Sequence, residues 1–367
     1  MTDVLIHADS VRSPEMRHEV PLAVPDPFLY VEHEGRRYAV VTAFERERIG
    51  AAAPDVETLP PEQFGIDELL RSGVPRVGAV LQTYVRALRE IGVAEAAVPK
   101  DFPVELADRF RAEGIALAVE RDLFEDRRRS KNATEVAGLR RAQRACEAAL
   151  DVAREMLRSG ESLTVEQVKG EMDKVFVAHG VVAEEYIVAP GAQAAVGHEM
   201  GSGPIAKGVS VVFDLWPRDR ETGVHTDMTR TYVIGDVPDE IREYHRLCKH
   251  VLEMTTAAAK PGVNGRELMQ MACDVFAEAG YPTQLTKKPG EVIDSGFFHG
   301  LGHGVGLEVH ERPWLSVVGD DLVPGDVITL EPGLYRAGYG GVRLEDILLV
   351  TDDGAEVVTQ YPYDLEP

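Results

Sequence analysis

The sequence predicts a mixed α/β (α+β) chain of two domains, the second assembled from two related halves. Three observations carry this. The chain has 367 residues, long for one hydrophobic core. Its first stretch, to about residue 126, alternates short strand-like runs with helical ones. Beyond it, an arrangement of two helices, then strands, then a pair of acids occurs twice.

Within residues 1–126, Pro25-Asp26-Pro27 breaks the chain before a strand-like run from Phe28 to His33. Glu34-Gly35 reads as a hairpin turn, and Arg36 to Thr42 as the returning strand. Val80 to Ile91 places Leu81, Val85 and Leu88 on one helical face. Ala96-Ala97-Val98 reads as a buried strand, and Pro103 to Glu113 as another helix. This region shows no acid/base pair, phosphate loop or metal spacing, so its histidines and acids read as surface groups. The basic run over residues 127–132 reads as a solvated linker. It leads into residues 133–367.

Asn132 with Glu135 forms a capping-box pattern, followed by apolar residues at helical spacing from Val136 to Leu157. Gly160 is expected to end that helix, and Thr164 with Gln167 to open one that runs to Gly180. The second half repeats the scheme. A helix from Asp239 stops at Pro261-Gly262, and Asn264 with Glu267 opens one that ends at Gly280. Val175-Phe176 and Val275-Phe276 occupy matching places in the two second helices. An acidic pair follows each helix pair: Asp214 with Asp227, then Glu331 with Glu345. Two related halves facing each other would bring the four carboxylates to one crevice.

Composition limits the function classes. The formal charge is −23, from 39 basic and 62 acidic residues. That argues against a nucleic-acid partner, which needs a basic face. The start, Met1 to His7, lacks a basic region followed by a long apolar run, and no apolar stretch approaches a membrane span. A soluble cytoplasmic protein is expected. Cys146, Cys248 and Cys273 sit in apolar helical patterns and read as buried free thiols.

The chemistry concentrates between His299 and Glu345. His299, His303 and His310 stand near Gly300, Gly302, Gly304 and Gly306. A helix tolerates such alternating glycines poorly, so an extended segment with close backbone approach is expected. Only some of these histidines would then reach a metal. Upstream, Asp214 ends the apolar run Val209 to Phe213. Asp227 lies thirteen positions on, with Pro217 to Gly223 as the turn between. In an antiparallel hairpin this parity lets both carboxylates face one side. One imidazole with four carboxylates suits paired hard or borderline divalent cations better than one structural zinc.

Three segments, His303-Gly304-Val305-Gly306 with His310-Glu311-Arg312-Pro313, Glu331-Pro332-Gly333-Leu334-Tyr335, and Gly341-Val342-Arg343-Leu344-Glu345-Asp346, resemble the pita-bread metallopeptidases. These comprise prolidases, aminopeptidases P and methionine aminopeptidases. Asp214 and Asp227-Met228-Thr229-Arg230-Thr231 match that family's acidic pair. The resemblance covers about residues 130–360. By length and pattern, residues 1–126 are similar to the creatinase-like N-terminal domain that prolidase and aminopeptidase P carry.

The resemblance implies a ligand set. Asp214 would chelate one divalent ion and His303 with Glu331 the other, while Asp227 and Glu345 bridge both. Manganese is the first expectation, with cobalt, zinc and iron as alternatives. A metal-bridging water or hydroxide would attack the scissile carbonyl, with Glu331 as general base. His198 would face the substrate and His310 would polarise the carbonyl. His299 would lie near the substrate and Arg343 near the metals. The expected activity is hydrolysis of the bond before proline in short peptides with proline second, by an Xaa-Pro dipeptidase or aminopeptidase. A homodimer follows by analogy.

One departure stands out. The family commonly places a glycine two residues after the first Asp ligand, and this chain has Trp216 there. The interval to Asp227 is also two residues longer than usual, which preserves strand parity. Specificity, rather than metal binding, is then the property in question, unless Trp216 only packs. Two other function classes compete: a non-peptidase enzyme on the same scaffold, creatinase-like hydrolase or lyase, and a non-catalytic interaction protein. A complete ligand set argues against the metal-free creatinase version of the first and against the second.

Overall fold

In the computed structural model, which describes residues 2–159 and 162–367, the chain divides into two compact units, Met1–Arg128 and Arg129–Pro367. Met1, of the opening stretch read above, and Gly160, the expected helix stop, lie outside the described residues. The helix in question runs Ala133–Arg158, with Ser159 as its C-cap.

The first unit is a six-stranded mixed sheet flanked by helices. Its strand order is Val56–Leu59, Arg36–Val40, Phe28–His33, Val4–Ala8, Glu95–Val98, Ala116–Val119. The first four strands contain the expected hairpin. Glu34 and Gly35 both take positive φ, 48° and 78°, which gives the tight right-twisting turn between Phe28–His33 and Arg36–Val40. Helix Arg76–Ile91 starts four residues earlier than its apolar pattern, right after Pro75. Apolar side chains cover both sheet faces: Leu5, Leu29 and Val31 on one, Val4, Ile6 and Tyr30 on the other.

The acids here are not all at the surface. Glu15 and Glu19 are each 4% exposed. Glu19 binds Arg37 and Arg127, and Glu15 faces the buried Arg128. The basic run is likewise not solvated. In the second unit Arg129 pairs with Asp326 at 2.8 Å and Lys131 with Glu311 at 2.5 Å, the latter pair with both side chains 3% exposed. Burial forces such cations to find carboxylates, so a charge run that reads as solvated is consumed by ion pairs.

The second unit shows the duplication directly. In the first half, helices Ala133–Arg158 and Val165–Ala178 precede antiparallel strands Ile187–Pro190, Ser210–Leu215 and Met228–Val233, with Ser210–Leu215 central. In the second, helices Asp239–Ala258 and Gly265–Glu278 precede Gly302–Gly304, Val327–Leu330 and Asp346–Val350, with Val327–Leu330 central. Each half has its own apolar core, one around Cys146, Phe176 and Phe213, the other around Cys248, Phe276 and Leu330. All three cysteines are buried and free. Asn132 and Thr164 close full capping boxes. Asn264 caps its helix through the Arg266 amide alone, and its own amide donates to Asp321. No helix among the described residues is long and apolar enough to cross a membrane.

The halves are stitched at one seam. Arg230, 1% exposed, donates to the carbonyls of Thr229 and Glu345 at 2.9 and 2.7 Å and to Asp346 at 2.8 Å. Its remaining donors reach the Tyr361 and Pro362 carbonyls, both at 3.0 Å. Removing this guanidinium would leave a buried Asp346 and several buried carbonyls unpaired. We expect Arg230→Met to cost about 3–5 kcal/mol in denaturant unfolding, since one half of a buried ion pair is lost. Adding Asp346→Asn should recover part of that loss, and a loss below about 1 kcal/mol would show the seam to be dispensable.

Candidate metal centre

The acids sit at matching strand ends. Asp214 is the fifth residue of Ser210–Leu215, and Glu331 follows Val327–Leu330 directly. Asp227 immediately precedes Met228–Val233, and Glu345 immediately precedes Asp346–Val350. In the second half Leu330 pairs with Asp346. Continuing that register by one sets Glu331 opposite Glu345. In the first half Asp214 pairs with Thr229, two residues beyond Asp227. The first acidic pair is therefore diagonal rather than directly cross-strand. Parity still puts both on one face, because positions two apart along a strand share it.

His303 lies in the extended stretch Gly302–Gly304, as its glycines require. A Cβ on Gly302 would stand 2.1 Å from the Thr329 carbonyl oxygen, and one on Gly304 2.2 Å from that of Arg312. Close approach of these backbones carries His303 inward. Its Nε2 lies 3.9 Å from Asp227 Oδ2 and 3.7 Å from Glu331 Oε1. Asp227, His303 and Glu345 each offer a ligand atom, all within 4.8 Å of one another.

One cavity of about 780 Å³ is lined by all ten of Asp214, Asp227, His198, His299, His303, His310, Trp216, Glu331, Arg343 and Glu345. The histidines play different parts. The ring of His310 is 4.3 Å from that of His303, centre to centre. His299 contacts the Gly300 carbonyl through Nδ1 at 2.7 Å and the Tyr335 hydroxyl through Nε2 at 2.9 Å. Its Nδ1 is 3.7 Å from Glu331. Asp214 is ion-paired with Arg343.

Tyr335 and Thr229 are site residues that sequence reasoning passed over. Arg343 Nη1 donates to the Tyr335 hydroxyl at 3.0 Å, which links Arg343 to His299. Thr229 donates to Glu345 at 2.7 Å and accepts from Arg343 at 3.2 Å. Both lie inside the quoted motifs. For Thr229 the available signal was strand periodicity, since it stands two after Asp227; nothing local marks Tyr335.

The site's electrostatics fit a cation. Burial, then Glu345, Asp214 and Glu331 nearby, pushes the Asp227 carboxyl well above its usual range. Burial, then Glu331 and Asp214, does the same to Glu345. Burial, opposed by Arg343 and reinforced by Asp214, raises Glu331 to about 8. Asp227 Oδ1 is buried without a hydrogen-bond partner among the described residues. Burial, with His310 alongside, pushes His303 down to about 3, so its imidazole is neutral. The His303 Nδ1 faces the Gly304 carbonyl at 3.1 Å. The proton belongs on that nitrogen, and the Nε2 lone pair points among the acids. A neutral imidazole with a free Nε2, an orphaned carboxylate oxygen and mutually repelling acids form a donor set that a divalent cation satisfies.

Buried carboxylates and an imidazole at strand ends in both halves of a duplicated α/β unit make a donor set suited to a divalent cation. The chain belongs to metallopeptidase family M24, whose model matches residues 137–352. It is 33% identical over 256 residues to the probable dipeptidase PepE of Mycobacterium tuberculosis, covering 69% of this chain and 64% of that one, slightly under two thirds of the relative. It is 30% identical over 280 residues to the Xaa-Pro dipeptidase of Pyrococcus horikoshii, covering 75% and 74%. Among solved structures, the prolidase from Pyrococcus horikoshii OT3 superposes with a TM-score of 0.80 at 25% identity, over 100% of this chain and 95% of that one. An Xaa-Pro dipeptidase from Bacillus anthracis superposes at 0.81, also at 25% identity, over 100% and 94%. The fold is thus the expected pita-bread architecture with an N-terminal domain, in a chain of the metallopeptidase family.

The raised carboxyls set a pH test. Below the ordinary carboxyl range, folded and unfolded chains both hold these protons. As the pH rises past it, the unfolded chain loses them first, so the metal-free fold loses stability until the folded value, about 8 for Glu331, is passed. Binding a cation replaces those protons. We therefore expect Mn²⁺ to raise the melting temperature more at about pH 8 than at about pH 5.5. The double variant Asp227→Asn with His303→Ala should lose the increment. An increment that ignores pH, or survives in that variant, would place the cation elsewhere.

Proposed function

We propose that this chain hydrolyses the peptide bond before proline in short peptides, as an Xaa-Pro dipeptidase or aminopeptidase holding two divalent ions. The observation that carries the reading is the free Nε2 of His303 among Asp227, Glu331 and Glu345, in a chain of this family. In this reading Asp214 would hold one ion, His303 and Glu331 would hold the other, and Asp227 and Glu345 would contribute to both. When bound, such ions lower the pKa of water and stabilise negative charge on the scissile carbonyl oxygen. Four carboxylates and one imidazole accept manganese, cobalt, iron or zinc, with manganese our first assignment.

The remaining steps belong to the chain's own groups. Glu331, whose side chain is 19% exposed, accepts the proton of the attacking water and passes it to the leaving amine. His310, beside His303, donates toward the scissile carbonyl oxygen, and His198 faces the peptide. Arg343 and Tyr335 fix His299 and Asp214 in place. The proposal includes residues 133–367 as the catalytic domain, 1–126 as a creatinase-like domain joined through 127–132, a homodimer and a cytoplasmic location.

Assay of Xaa-Pro dipeptides and Xaa-Pro-Yaa tripeptides with added Mn²⁺ or Co²⁺ tests the activity. Hydrolysis of either class supports it; hydrolysis of neither ends it and favours a non-peptidase reaction on the same scaffold. Glu331→Gln is expected to lower kcat by about 10²–10⁴-fold, the usual contribution of general acid–base catalysis. Turnover by Glu331→Gln within about threefold of the parent would remove Glu331 from the proton transfer.

A further inference from the structure

We propose that Trp216 selects the substrate, favouring peptides whose residue before the scissile bond carries a large apolar side chain. The inference rests on the peptidase reading above and names the substrate class that site takes.

Strand geometry puts Trp216 in the cavity wall. Asp214, Leu215 and Trp216 are consecutive, so Asp214 and Trp216 share a face while Leu215 points the other way. Leu215 is fully buried in the core of the first half, and both its neighbours line the cavity. Trp216 is half-buried: it packs against the cluster of Ile187, Ala189, Ala194 and Val212 and against the first half's core, and it lines the cavity.

The lengthened connection behind Trp216 is fixed in place. The Trp216 carbonyl contacts His225 Nδ1 at 2.9 Å. The Thr226 amide donates to the Pro217 carbonyl at 3.1 Å, and the His225 amide to that of Gly306 at 2.7 Å. Arg141 binds Asp219 through two bonds of 3.0 and 2.8 Å, and Asp219 accepts both the amide and hydroxyl of Thr222 at 2.8 Å. Gly138 leaves room for this: a Cβ there would stand 2.1 Å from the Thr222 hydroxyl oxygen. The indole is therefore a preorganised surface, and binding pays little to order it.

The chemistry of the wall decides what it takes. Besides the acids, histidines, glycines and Arg343, the cavity is lined by Met200, Trp216, Phe298, Val309, Trp314 and Ser316. Arg343 is the one lysine or arginine among these lining residues, and Asp214 and Tyr335 already engage it. With the acids committed to cations in the peptidase reading, a charged peptide side chain would lose water against the Trp216 indole, whereas an aromatic or branched aliphatic one buries area there. With proline fixed as the second residue, the variable side chain beside the bond is the first.

The test is a panel of Leu-Pro, Phe-Pro, Ala-Pro, Asp-Pro and Lys-Pro, each also extended by a C-terminal Ala, with Mn²⁺. The parent should prefer Leu and Phe over Asp and Lys by about 10-fold or more in kcat/KM. Trp216→Ala should lose about 10-fold on Leu and Phe through KM, and change Ala-Pro by less than about threefold. Trp216→Phe should retain the preference, and both variants should keep the Mn²⁺-induced rise in melting temperature. Equal use of all five side chains, or an equal loss on all of them in Trp216→Ala with that rise intact, overturns the inference and leaves the peptidase reading standing. Cleavage of no panel member by the parent sinks both.

Discussion

Concentrating four carboxylates and an imidazole in one buried cavity is electrostatically costly, and the seam around Arg230 makes it tolerable. Without a cation the acids repel one another, so their separation must be imposed by the backbone. Thr229 bonds Glu345 while its carbonyl accepts from the Glu345 amide at 3.0 Å. Thr231 exchanges two bonds with the Arg343 backbone, at 2.9 and 3.1 Å. Arg230 threads between them to Asp346. Two strands bearing like charges are thus zipped by every other group they carry, and the field of the acids is left facing the cavity.

The duplication explains why the ligands fall where they do. In each half a central strand ends at one acid, and the next strand begins at another. Each half alone supplies one close carboxylate pair. Facing the halves brings two pairs together, and the histidine strand adds the only imidazole of the tight cluster. The same geometry leaves the glycines little freedom: Gly333 would place a Cβ 2.2 Å from the Tyr335 hydroxyl oxygen, the group that links Arg343 to His299.

Much of this was legible in the residues. Helical periodicity and cap patterns located the four long helices of the second unit to within a few residues, because amphipathic helices carry their burial pattern locally. Strand parity foretold that Asp214 and Asp227 share a face, but not their diagonal offset, which arises from pairing Asp214 with Thr229. The alternating glycines announced an extended segment at His303. The Arg343–Tyr335–His299 chain was not legible, since it depends on side-chain directions set by strands far apart in sequence. The basic run misled because ion pairing is a tertiary property: Lys131 finds Glu311, 180 positions away.

The seam also orders events in time. Arg230 and Asp346 are separated by 116 positions, so their contact needs both strands of the seam to have been made. A chain emerging from the ribosome carries Asp214 and Asp227 about a hundred residues before Glu331 and Glu345. The buried acid cluster is therefore complete only once nearly the whole second half has been made.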